Sequence, residues 1–224
     1  MKYLCKPIFV TIFIALATIS VLASCGEGKS TAVSASWDKQ LAVAQRAAQA
    51  VDPKTALIDV STETSPANKD LQVKFLFFSP SQPRKQKTEG LFGTHMLVSL
   101  KDTDPDNTIQ LNKQYEDSTW IPTESEIAQL KEQFSMIKIS PAQALEQARP
   151  VWQSLVNSST DPLIYVGALL GRDYLLKAGL PSDKADTYSV AWSVSFLTST
   201  PRQSVQILVD PATGEVLSHK QERY

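Results

Sequence analysis

The chain has 224 residues, 42% of them hydrophobic and 20% charged, and its 22 Lys plus Arg against 23 Asp plus Glu leave a net charge of −1. That balance gives no electrostatic footprint for nucleic acid and no basic stripe for an anionic lipid surface. Two cysteines, Cys5 and Cys25, are too few for a disulfide framework or a zinc cluster, and the length suits one large domain or two small ones.

Residues 1–6 carry Lys2, Lys6 and no acid, and residues 8–22 are almost wholly apolar or small. A positive start followed by a short apolar run is the pattern of a secretory signal. It falls short of the roughly 20 apolar residues that a membrane-spanning helix needs. Leu22-Ala23-Ser24-Cys25 follows directly, and this stretch resembles the lipobox of bacterial lipoproteins. The resemblance implies a diacylglyceryl group on the Cys25 thiol, cleavage before Cys25 and acylation of the new amino terminus by chains such as palmitate. Residues 1–24 would then be a signal peptide, and Cys25 the lipid attachment site on the extracytoplasmic face of a membrane. Chemistry agrees: a thiolate is a strong nucleophile toward a lipid donor, and two or three acyl chains hold firmly where one does not. Cys5 would leave with the signal, so the mature chain keeps one thiol, occupied by lipid, and a net charge of −3.

Residues 25–36 are small and polar, a flexible tether. Trp37, Leu41, Ala44, Ala48 and Val51 then recur at helical spacing, with Ser36 placed to cap the start and Asp52-Pro53 to end the helix. Ala56–Thr64 and Leu71–Ser79 read as strands, Val73, Phe75 and Phe77 marking one face of the second. Pro80–Thr94 is a polar loop with Arg84, Lys85 and Lys87, long enough to be a contact loop. His95–Leu100 and Thr108–Asn112 read as a hairpin around residues 102–107.

A connector over 116–138 holds a short helix capped by Thr123 with Glu126. Ser140-Pro141-Ala142-Gln143 opens a second long helix, in which Leu145, Ala148, Trp152 and Leu155 share a face and Pro150 predicts a kink. Leu163–Leu170 reads as a strand, with a helix over Leu163–Ala178 as the alternative. Tyr188–Leu197 alternates through Val190, Trp192, Val194 and Phe196. Gln203–Val209 and Glu215–Gln221 flank Asp210-Pro211-Ala212-Thr213-Gly214, a tight turn. The order helix, strand, strand, hairpin thus occurs twice. It predicts an α+β chain of two tandem helix-plus-antiparallel-sheet modules, 37–115 and 139–224.

The second module resembles a PepSY domain. Ile139-Ser140-Pro141-Ala142-Gln143-Ala144 stands for a strand end running into a capped helix. Tyr188-Ser189-Val190-Ala191-Trp192 stands for the middle strand, and residues 209–217 for the closing hairpin. The resemblance covers residues 139–221 and departs from the family in Leu163–Asp186, which is longer than its spacing needs. It implies an envelope or secreted protein with an inhibitory or binding role, and no catalytic residue carries over. Residues 37–113 would be a diverged second copy.

The side chains that carry chemistry are sparse. His95 and His219 lie on different hairpins outside any His-Glu-x-x-His pattern, and read as exposed or partly packed strand residues. No nucleophile-elbow, Walker or dinucleotide-binding motif occurs. Asp102, Asp104 and Asp106 resemble the start of a calcium loop, but Asn107 and Lys113 stand where that loop needs Gly and Glu. The segment reads as a solvated turn, and the acids at 124–126 and 183–186 as solvated faces. Trp152, Trp192 and Phe196 suit a core, whereas Trp120 lies in the connector. The reading is a lipid-anchored, non-catalytic binding or regulatory module without cofactor or metal, its partners a membrane and an envelope protein, peptide or wall component. An assembly factor is the alternative, and a carboxylate hydrolase would require two acids converging in a cleft.

Overall fold

A computed structural model describes residues 34–64, 71–81, 86–87, 90–91, 94–115, 122–156, 162–199 and 202–223. The first half comprises α1 (Trp37–Gln49), β1 (Ala56–Thr64), β2 (Gln72–Ser79), the two-residue β3 (Gln86–Lys87) and β4 (Gly90–Leu91), β5 (Thr94–Lys101) and β6 (Gln110–Tyr115). After α2 (Glu124–Ser135) come α3 (Pro141–Leu155), β7 (Leu163–Leu170), α4 (Arg172–Lys177), α5 (Ser182–Ala185), β8 (Val190–Ser199), β9 (Arg202–Val209) and β10 (Val216–Arg223).

The protein is α+β, and its main sheet is antiparallel throughout, in the order β10-β9-β8-β7-β1-β2-β5-β6. That order is a palindrome of two four-strand meanders, each preceded by its helix. The halves do not form two separate sheets: β1 and β7, the first long strand of each half, pair along Ser61↔Gly167 to Thr64↔Ile164. The same tie recurs ahead of each helix. The Ala35 amide donates to the Asp102 carbonyl at 2.9 Å, and the Lys138 and Ile139 amides donate to the Pro211 carbonyl at 2.8 and 3.1 Å.

Local signals hold where they are strongest. Ser140 and Gln143 close a capping box around Pro141, as do Thr123 and Glu126, satisfying amides that a helix start leaves free. Pro150 sits inside α3, and the helix continues to Leu155. The Asp210 carboxylate accepts from the Ala212 and Thr213 amides at 2.7 and 3.2 Å, and Gly214 closes the turn at φ +82°, a conformation that glycine adopts without a Cβ clash.

One sheet face carries the main core. Val60, Phe75, Phe77, Met96, Val98, Val166, Trp192, Val194, Phe196 and Ile207 are buried there beneath α1, α2 and α3. Alternating side chains along each strand explain why these residues share a face. Trp37, at the first turn of α1, stacks on Phe75 at 5.8 Å and meets Trp192 edge-on at 5.7 Å, so one side chain joins both halves. The connector also belongs to this core, through Phe134 and Ile137. On the opposite face, Leu175, Ala178, Leu180 and Ala185 of the α4–α5 segment cover Ala191, Leu208 and Leu217. The long stretch after Leu163 is therefore a strand, a glycine at φ +90° (Gly171) and a two-helix cover; the helical alternative for 163–178 does not hold over β7.

Candidate functional site

The site begins where α1 ends. Asp52 is 1% exposed, and its carboxylate accepts the Ser79 hydroxyl at 2.6 Å and the Lys54 and Ser81 amides at 2.9 Å each. Burial works to raise this carboxyl, but the hydrogen bonds from Ser79, Lys54 and Ser81 outweigh it and hold the group below its ordinary value of 3.8. The result is a turn over 53–55 clamped to the end of β2. That turn forms one rim of a half-open cleft of about 380 Å³ between α1 and α2. Leu41, Gln45 and Gln49 supply the α1 wall, and Lys131, Phe134 and Ser135 the α2 wall. Ala56, Leu57 and Phe77 form the strand side, and Lys54 stands on the turn.

The ionisable groups lining this cleft are Lys54 and Lys131. Both are exposed. Asp52, the carboxylate nearest in sequence to Lys54, is already engaged by Ser79 and two amides. The lining combines an apolar floor, amide groups on one helix and ammonium groups on two elements, which suits recognition. It does not bring together the two acids a carboxylate hydrolase would need, since no acid lines it. None of these residues carries a functional motif; Leu41 and Phe77 read only as apolar positions of α1 and β2.

Other expected positions fall elsewhere. Cys25 lies outside the described residues, as do Arg84, Lys85 and Trp120. The tether expected over 25–36 is fixed at its last residues. Ala35 is held by Asp102 as described, Gln40 Nε2 donates to the Ala35 carbonyl at 2.9 Å, and Ser34 Oγ lies 3.4 Å from Ser140 Oγ. The three aspartates of the calcium-like stretch go three ways. Asp102 is buried and accepts from Gln40, Asp104 accepts from Asn107 at 3.0 Å, and Asp106 pairs with Lys39 at 2.9 Å. His95, expected to be exposed or partly packed, is 1% exposed beside Phe78, because β5 is an interior strand of the sheet. His219 is exposed on the edge strand β10. Among the described residues no helix is long and apolar enough to cross a membrane, and no group of three or more His, Cys, Asp or Glu is placed to hold a metal.

No family model matches the chain, and no curated protein matches it. Among solved structures, it is similar to a "putative lipoprotein" of Clostridium difficile 630. The identity is 14% over 79% of this chain and 89% of that one, with a TM-score of 0.39.

Proposed function

We propose that this chain is an envelope lipoprotein, anchored through lipid on Cys25, that acts as a non-catalytic binding module of PepSY-like kind and holds its ligand between α1 and α2. The observation that carries the binding role is the cleft itself, with apolar floor, amides and lysines on its walls and no acid, thiol or imidazole among its lining residues. The anchor rests on Leu22-Ala23-Ser24-Cys25 directly after the apolar run.

The test uses full-length protein purified from its own membranes in mild detergent and weighed by native mass spectrometry. The wild type is expected to retain a small-molecule adduct. Gln45→Trp, a change at an exposed α1 position that fills the cleft, should fold normally and lose it. A wild type that carries no adduct, or a variant that keeps it, would overturn the assignment of the cleft. A second reading, an assembly factor, draws on Leu163 and Leu197, paired across β7 and β8 and 41% and 42% exposed. Recovery of a stoichiometric protein partner from the same preparation would favour that reading.

A further inference from the structure

Resting on the binding role just stated, we propose that the cleft takes a small amphipathic anion. Its apolar chain or ring would sit on Leu57, Phe77 and Phe134, with one anionic group at the rim held by Lys54 and Lys131. Size sets the first limit. At about 380 Å³ the cleft lies near the lower end of ligand-binding cavities, roughly 300–1,000 Å³, so it takes a single short chain or ring and not a folded partner.

Charge sets the second. Lys54 and Lys131 come from a turn and a helix 77 positions apart in the sequence and are the charged groups of one lining. No acid stands in that lining, so the two ammonium groups make it a positive site. A cationic headgroup would be repelled there, and a neutral one could accept a hydrogen bond but form no ion pair. The floor sets the third limit. Phe134 is 4% exposed and Phe77 1% exposed, so both are fixed by the core, and Leu41 on α1 is the partly exposed apolar wall that a tail meets. A ligand that orders few side chains loses little of its binding energy to entropy.

A single-chain carboxylate and a bilayer phospholipid present the same chemistry. The experiment places the full chain in phosphatidylcholine nanodiscs and titrates it calorimetrically with octanoate, octanol and octyltrimethylammonium, subtracting empty discs. Octanoate is expected to bind about tenfold more tightly than octanol, in keeping with two partly shielded ion pairs, and octyltrimethylammonium more weakly than either. Lys54→Gln with Lys131→Gln should erase that preference, and Lys54→Arg with Lys131→Arg should keep it. Both positions are exposed, so folding is not at stake. If phosphatidylglycerol added to the discs competes with octanoate, the bilayer is the source; if it does not, the source is a free amphiphile. Equal affinity for octanoate and octanol, or no binding of octanoate, would overturn the anionic class. The native adduct that Gln45→Trp removes would still decide the binding role separately.

Discussion

Replacing Trp37 with alanine is expected to destabilise the protein by about 3–5 kcal/mol and to lower Tm on the order of 10 °C. Trp37 is 1% exposed and lies where α1 meets both halves of the sheet, stacked on Phe75 of β2 and edge-on to Trp192 of β8. Removing the indole leaves a cavity bounded by two large rings. Those rings belong to strands in fixed register, so the site collapses poorly, and the cost belongs at the upper part of the range for large-to-small changes. Trp192 is further pinned, since its Nε1 donates to the Ile139 carbonyl at 3.2 Å. Circular dichroism and tryptophan fluorescence should follow one thermal transition in wild type, because β1 and β7 make the halves share a sheet. A Trp37→Ala variant whose Tm moved by less than about 2 °C would mean that the ring is not buried at this seam.

Asp52→Ala should cost about 2–3 kcal/mol at neutral pH, the range for hydrogen bonds to a buried charged acceptor and the donors left behind. The Ser79 hydroxyl and two amides lose one carboxylate together, and the turn that forms the cleft rim loses its clamp to β2. The pH dependence has a definite sign. A carboxyl held below 3.8 in the folded state contributes stability that is present above the unfolded value and is lost as pH falls through the folded one. Asp102 acts in the opposite sense. Burial, with the charge of Glu146, raises its carboxyl above 3.8 against hydrogen bonds from Ser34 and Gln40, so its contribution is full below 3.8 and lost as pH rises through its folded value. The two windows lie on either side of 3.8. Urea denaturation across acidic pH should therefore show wild-type stability falling below that point, and Asp52→Ala should flatten that limb. An unchanged limb would contradict the role given to Asp52.

What could be read from the sequence was local. The capping boxes at Ser140 and Thr123, the Asp210–Gly214 turn and the alternation of Val190, Trp192, Val194 and Phe196 each depend on residues a few positions apart, where propensity and hydrogen bonding act directly. The helix-then-four-strands order of each half was legible for the same reason. The pairing of β1 with β7 was not. Thr62 and Val166 meet across that seam, but nothing in either strand says that its partner lies a hundred residues away. The α4–α5 cover over Leu208 and Leu217 was hidden in a stretch that looked only too long. His95 reads as exposed or partly packed because its own neighbours cannot show that β5 is interior. The cleft was the least legible feature, since Lys54, Gln45 and Lys131 each look like ordinary solvated positions until the fold brings them to one opening.

Cys25 is the residue on which the cellular account turns, and one mass measurement addresses it. Protein recovered from the native membrane fraction should begin at Cys25, carry a diacylglyceryl thioether with acylated or free amino terminus, and lack Met1 to Ser24. Cys25→Ala should instead give protein without acyl chains. Mature protein with an unmodified Cys25 thiol, or with an amino terminus elsewhere, would contradict the account.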